Sequence, residues 1–266
     1  IPHCDGAGVI VAVGPDGPAD RIGQRVWLWN AQGGYGSVGR PFGTAAAYIA
    51  LPEDQAVHLS DHYTMEEGAC LGVPAMTAHR CVLADGPLAD QTVLVQGGAG
   101  AVGSLAVQIG VLARARVLAT VSSQTAADRI TELGAEPILR HDTDVAERVL
   151  AMTHGDGVDR VVEVDFAANA AVDAAVLKPN GVLASYSSSS NPMPTLDYYA
   201  FAAKGQTVRF VQGFALPPAA RTAGHRFLAD HRLDIAIGTV LPLDRIAEAH
   251  DRVESGGHVG QTVLSI

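Results

Sequence analysis

The sequence predicts an α/β protein in which a doubly wound parallel sheet is inserted into a smaller, β-rich domain. Three observations carry this. A strand-like run, Val93 to Gln96, feeds a glycine-rich turn and then at once an apolar, helix-forming segment ending near Ala113. From there strand and helix patterns alternate up to Gln212, as expected of parallel strands covered by helices on both faces. The two ends of the chain differ in texture, with short strands separated by glycine- and proline-rich turns, as in a small barrel or open sandwich. The expected division is therefore 1–76 and 213–266 for the β-rich domain and 77–212 for the sheet.

The glycine turn is the most chemical part of the chain. Gly98, Gly100 and Gly103 fit G-x-G-x-x-G. In that pattern glycines permit a tight turn, close backbone approach to a pyrophosphate, and close packing of helix on strand. The following helix offers free N–H groups and a positive dipole end. Arg116 to Val121 reads as the second strand. At its end, where a carboxylate would bind an unmodified ribose, stand Ser122, Ser123 and Gln124. Hydroxyls there tolerate a 2′-phosphate, so the residues favour NADPH over NADH. The accompanying cation is either Arg129 or Arg140, each of which also reads as an ordinary solvated arginine.

The remaining elements follow in order. Thr125 to Gly134 is a short helix, Pro137 to Leu139 a third strand, and Asp144 to His154 an amphipathic helix. Val158 to Val164 is a fourth strand and Ala167 to Leu177 a helix. Lys178 to Gly181 is expected to turn the chain, Val182 to Tyr186 is a fifth strand, and Thr207 to Gln212 a sixth. Ligands bind such sheets at the carboxyl ends of the strands. That rule nominates Gly100 to Gly103, Ser122, Asp165 to Asn169, Tyr186 to Ser188, and Gln212 to Phe214. Toward the chain's start, strands are expected at Ala7–Val13, Arg25–Trp29, Ala45–Ala50 and Ala56–Leu59. Thr64 to Glu67 is a capping box opening a helical tract interrupted by Gly72 and Pro74. Helices at Pro218–Ala229 and Leu243–Val253 and a strand at Thr262–Ile266 close the chain.

Composition excludes several classes. With 18 Lys plus Arg against 28 Asp plus Glu, the net charge is −10, and no basic run suggests nucleic acid. No apolar stretch is long enough for a membrane span, and no secretory leader is visible. Cys4, Cys70 and Cys81 are scattered like reduced thiols, which suits a cytoplasmic protein.

Several motifs in order resemble one family. They are Cys4-Asp-Gly-Ala-Gly-Val9 with Val13-Gly14, Gly72-Val-Pro-Ala-Met-Thr-Ala78, and Val95-Gln-Gly-Gly-Ala-Gly-Ala-Val-Gly103. Leu133-Gly-Ala135, Gly157-Val-Asp159 with Val162-Glu163, Leu177-Lys-Pro-Asn-Gly181 and Glu248-Ala-His250 follow. Together they resemble the medium-chain dehydrogenase/reductase superfamily, in its zinc-independent quinone oxidoreductase branch. The resemblance implies a Rossmann domain inserted into a GroES-like domain, NADPH as cofactor, and hydride transfer to a quinone or other activated carbonyl or alkene. It implies that Gly100, Ala101, Val102 and Gly103 hold the pyrophosphate. Ser122 and His141 would lie by the adenosine ribose and its phosphate, or by the adenine, and Asn169, Tyr186 and Ser187 would line the cofactor groove. Val211, Gln212 and Gly213 would lie near the nicotinamide, as would Thr77. A homodimer joined through the sheet edge is also implied.

Departures from the family pattern bear on the reading. Cys4-Asp5 stands where zinc-dependent relatives carry a ligand His-Glu, and no closely spaced cysteine cluster is present; His3-Cys4-Asp5 remains a bare metal-site alternative. Gln261 and Ala126 occupy positions where relatives often carry a cation. The chain joins the family pattern part-way through the substrate domain. An N-terminally incomplete barrel is therefore expected, as a fragment or as a natural short form. No catalytic residue stands out. Tyr48, Thr77 and His79 are either hydrogen-bond donors or structural, Phe214 either packs on the nicotinamide or fills the core, and Trp27 and Trp29 share one strand face. Alternative activities are an alkenal or enoyl double-bond reductase, a non-catalytic NADPH-binding sensor or structural protein, and a zinc alcohol dehydrogenase.

Overall fold

The structure, a computed structural model, describes residues 1–33, 41–141, 143–256 and 259–266. Two compact units divide it: residues 1–76 with 213–266, and residues 77–212.

The first unit opens with β1 (Gly6–Val9), β2 (Arg25–Leu28) and β3 (Ala56–His58), an antiparallel sheet in that order. Trp27 and Trp29 are both buried beside Val26 and Leu59, so the tryptophan face is core. The expected strand at Ala45–Ala50 is absent. Its neighbourhood bonds to the first residues of the sequence instead, Thr44 and Ala45 donating to the carbonyls of His3 and Pro2. Alanines fit a pleated, half-buried surface poorly, and Tyr48 is 78% exposed. Thr64 caps α1 (Met65–Gly68) through a complete capping box. Gly72 and Pro74 do not interrupt a helix but begin one, α2 (Gly72–Leu83). A proline in the first turn lacks only an N–H that would have no intrahelical partner.

In the second unit β4 (Thr92–Val95) leads through the glycine turn to α3 (Ala101–Leu112). Then come β5 (Arg116–Val121), α4 (Gln124–Glu132), β6 (Glu136–Leu139) and α5 (Val145–Met152). They are followed by β7 (Val158–Glu163), α6 (Phe166–Val176), β8 (Leu177–Ser185), α7 (Tyr198–Ala202) and β9 (Thr207–Phe210). The sheet is six-stranded and parallel throughout, ordered β6-β5-β4-β7-β8-β9. This is the doubly wound fold the alternation predicts. Lys178 to Gly181 is not a free turn but a bulge inside β8. The register jumps from Val158 opposite Leu177 to Arg160 opposite Val182. Asn180 takes up the strain at φ 60°, its N–H bonding Lys204 O.

The core of this unit packs Leu94, Leu118, Ile138, Val161 and Leu183 against Val149, Phe166 and Val176. The return to the first unit supplies α8 (Pro218–Asp230), β10 (Ile237–Pro242), α9 (Ile246–Ser255) and β11 (Gln261–Ser265). β10 and β11 pair in parallel. The sequence reading passed over β10 and α7. β10 is interrupted by glycine and ends on proline, and only Leu241 of its residues is buried.

Candidate functional site

The site is built from the turn after β4 outward. Gly97 lies at φ 69° and gives its N–H to Thr120 Oγ1 at 2.9 Å, while Gly98 N–H bonds Thr120 O at 2.9 Å. A Cβ on Gly103 would lie 2.2 Å from Gly97 O, and one on Gly98 would lie 2.7 Å from Ala119 Cβ. The turn can therefore be this tight only with glycine at both positions. The first intrahelical bond of α3 runs from Ser104 N to Gly100 O, 2.9 Å. The N–H groups of Ala101, Val102 and Gly103 precede it and have no carbonyl within the helix. Gly100 is exposed. Three convergent amides at a helix N-terminus, with no side chain in the way, fit a diphosphate.

The turn stands where the sheet order reverses, since β4 lies between β5 and β7. Open α/β sheets bind ligands at such a switch point. Ser122, exposed, follows β5 directly, and Ser123 caps α4 by accepting from Ala126 N. His141, also exposed, follows β6 two residues on. Beyond β7 and β8 the chain is held by three short links. Tyr186 N–H bonds Glu163 O, Phe166 N–H bonds Ser187 O, and Val211 N–H bonds Ser185 O. These bring Asn169, Tyr186, Ser187 and Val211 to one end of the sheet. Burial, with Cys81 and Glu163 nearby, raises the Tyr186 hydroxyl well above the ordinary phenol range.

The other nominated residues have the following surroundings. Arg129 pairs with Glu132 along α4, Nη1 to Oε2 3.3 Å. Thr77 is only 3% exposed within α2. Gln212 is exposed at the end of the second unit. Gly213 and Phe214 begin the return segment, where Phe214 O accepts from Asn30 Nδ2 at 3.0 Å.

A polar network under the turn escaped the sequence reading. Thr120 Oγ1 donates to Gln96 Oε1 (2.9 Å), and Gln96 Nε2 donates to Asp173 Oδ1 (2.9 Å). Glu163 Oε1 accepts from Asn169 Nδ2 at 3.0 Å and from Asp165 N–H. Glu163 and Asp173 are both fully buried and influence each other electrostatically. The available signal was Asp173 itself, a lone acid in the otherwise uncharged tract Phe166-Ala-Ala-Asn-Ala-Ala-Val-Asp-Ala-Ala-Val176.

Zinc does not fit the donors present. Asp5 accepts from Val73 N–H at 2.8 Å and so caps α2, and burial raises its carboxyl to about 7. The Cys4 thiol donates to Gln32 Oε1 and is raised by burial, and the Cys70 thiol is pushed up to about 12. Among the described residues, no three or more His, Cys, Asp and Glu side chains cluster so as to hold a metal ion. Nor is any described helix long and apolar enough to cross a membrane.

Comparison with known proteins agrees with this geometry. Residues 101–227 match the family model described as zinc-binding dehydrogenase. The quinone oxidoreductase of Lama guanicoe is 30% identical over 274 residues, covering 99% of this chain and 78% of the relative. The human quinone oxidoreductase is 28% identical over 279 residues, covering 99% and 79%. A solved quinone oxidoreductase from Pseudomonas syringae superposes with a TM-score of 0.82 at 25% identity, covering 99% and 81%. A mycobacterial protein solved with NADPH gives 0.80 at 26% identity, covering 99% and 82%. On this likeness, the chain is an oxidoreductase of the medium-chain dehydrogenase/reductase superfamily and belongs to its quinone oxidoreductase branch.

Proposed function

We propose that this protein is an NADPH-dependent reductase that transfers hydride, without a metal, to a quinone or another activated carbonyl or alkene. The observation that carries this reading is the pairing of three helix-start amides, Ala101 to Gly103, with an exposed Ser122 at the neighbouring strand end. The amides would hold the diphosphate, and Ser122 would accept a 2′-phosphate that a carboxylate would repel. Two likenesses support it: relatives named quinone oxidoreductase and a neighbour solved with NADPH.

NADPH, when bound, supplies the hydride. The chain's part is to bind, orient and exclude water, since an electron-poor acceptor needs little acid–base help. Asn169, Tyr186, Ser187 and Val211 would line the groove, with Gln212, Gly213 and Phe214 following. Tyr186 stays protonated, so it is equipped to donate a hydrogen bond rather than to act as a phenolate base. A second copy would pair along β9, the last strand of the sheet, where Phe210 is 73% exposed.

The test is loss of reduced-nicotinamide absorbance with 1,4-benzoquinone or 9,10-phenanthrenequinone, using NADPH and NADH in parallel. Turnover with a clear preference for NADPH is expected. Preference for alkenals in direct competition would move the protein to the double-bond reductases. Tight NADPH binding with no turnover of any acceptor would make it a non-catalytic binder, and absence of binding would end the dinucleotide reading.

A further inference from the structure

Glu163 closes β7 at the switch point, and Asp173 stands two turns into α6. Both are 0% exposed. Each has one oxygen engaged as an acceptor. Glu163 Oε1 takes Asn169 Nδ2 and Asp165 N–H, and Asp173 Oδ1 takes Gln96 Nε2. The other two oxygens, Oε2 and Oδ2, are inaccessible to water and have no hydrogen-bond partner. Two neighbouring carboxylates, both ionised in a dry interior, would repel strongly, whereas one proton shared between them would satisfy both orphaned oxygens. Oε1 and Oδ1 already receive N–H groups, so Oε2 and Oδ2 are the seats for that proton.

The consequence reaches Asn169. Its amide can face Glu163 Oε1 only with the NH2 end, so its carbonyl oxygen is the arm left for a ligand. We propose that Glu163 and Asp173 share a single buried proton and that this pair fixes Asn169 as a hydrogen-bond acceptor for a sugar hydroxyl of the dinucleotide. The second half rests on the dinucleotide reading above. Glu163 and Asp173 are then positioning residues, acting through Asn169 and, by way of Gln96 and Thr120, through the Gly97 amide.

Burial raises Asp173 well above the usual carboxylate range, with Glu163 adding to the effect, and burial raises Glu163 as well. Facing the pair are Asp165, from the loop after β7, and Tyr186, from the end of β8, with Cys81 of α2 behind Tyr186. All three become anionic when ionised, so they oppose release of the proton. On this proposal the pair would give up its proton only well above the usual carboxylate range, when the two carboxylates would part and free Asn169.

The first test needs no cofactor. Infrared spectra at mildly alkaline pH, in an Asp5→Asn background to remove the other raised carboxyl, are expected to show a protonated-carboxyl band. That band should vanish in both Glu163→Gln and Asp173→Asn. Its absence from the parent, or its survival in both variants, overturns the shared proton. The second test measures NADPH affinity against pH by nicotinamide fluorescence. Glu163→Gln and Asp173→Asn keep every bond but cannot ionise further, so they should bind within about twofold of the parent and lose its alkaline fall. Glu163→Leu removes the acceptor and should bind about tenfold more weakly at neutral pH. Identical pH profiles in parent and isosteres would overturn the role of the pair in binding. If no chain binds NADPH at any pH, the Asn169 assignment falls with the dinucleotide reading, while the infrared band still decides the pair.

Discussion

The two units handle water differently. In residues 77–212 the central strands are sealed: five of six residues of β5 and of β7 are buried, and every inner strand is paired on both sides. In the other unit β1 and β3 contain no buried residue, and β10 has only one. Charge follows the same division. The sheet keeps its buried acids in an internally bonded pair, Glu163 with Asp173. The open unit mostly sets its ion pairs in water, as in Arg25 with Asp61, whose side chain is 97% exposed. Asp5 is an exception, a carboxyl enclosed by the fold and resting on one helix amide, whereas the buried Glu67 is paired with Arg232. A sealed sheet can carry polar groups only as a closed network, whereas an open one can leave them to solvent.

Asp5 gives the strongest way to break that contrast. Its carboxyl is raised from 3.8 to about 7, by burial, against the opposing bond from Val73. A carboxyl raised on folding stabilises fully below its unfolded value, and that contribution is lost as pH rises from about 4 to about 7. The span corresponds to on the order of 4 kcal/mol. Asp5→Asn keeps the acceptor for Val73 N–H and abolishes the loss, so the variant should gain on the parent steadily across that window. Urea unfolding at a series of pH values reads the difference, in which the Glu163–Asp173 contribution cancels. If the two profiles run parallel, the α2 amide holds Asp5 ionised despite its enclosure.

Truncation compares the sheets directly. Leu118, fully buried in β5, should cost about 2–5 kcal/mol as Leu118→Ala. Val240, 45% exposed on β10, should cost no more than about 0.5 kcal/mol as Val240→Ala. Equal costs would mean that β10 is buried in solution by something further.

This contrast also explains what the sequence made legible. Parallel strands buried on both faces read as unbroken apolar runs, so Thr92–Val95 and Arg116–Val121 were found nearly to the residue. The capping box at Thr64 and the glycine turn were readable because each is local chemistry with fixed spacing. Ala45–Ala50 misled because apolar character without β-branching looks like a strand and carries little preference for one. β10 was missed because a half-exposed strand containing glycine has no periodic signature. Within the site, turn and strand-end residues were legible from topology. Glu163 with Asp173 was not, because their contact joins a strand end to a helix interior, and only the fold brings those together.

Glycines sharpen the comparison at smaller scale. A Cβ on Gly103 meets Gly97 O at 2.2 Å, whereas one on Gly8, in β1, meets nothing within 4 Å. Gly103→Ala should therefore cost about 1–3 kcal/mol through backbone displacement and should also weaken NADPH binding, because the displaced turn carries the amides. Gly8→Ala should be near neutral, within about 0.5 kcal/mol. Thermal unfolding together with nicotinamide fluorescence separates the two readouts. A Gly103→Ala variant that unfolds early but binds normally would detach the turn from the cofactor.

The smallest effect tests whether the open unit depends on local chemistry where the sheet depends on burial. α1 has only four residues and cannot stand on propensity. It is held by Thr64 Oγ1 accepting from Glu67 N–H at 3.2 Å, and by Glu67 Oε2 accepting from Thr64 N–H at 2.8 Å. Glu67 Oε1 then takes Arg232 Nη2 at 2.7 Å, tying the helix to the return segment. Thr64→Ala should cost about 1 kcal/mol. Arg232→Ala should cost less than about 1 kcal/mol, since the Arg232 side chain is 45% exposed and solvent screens the pair. The double variant tells whether the two act as one device. A loss equal to the sum in urea unfolding would mean that cap and ion pair act independently, and a loss beyond the sum that each covers for the other. A loss below the sum would mean that Glu67 must be placed by the cap before Arg232 can use it, so that the order in this unit is built up from its turns.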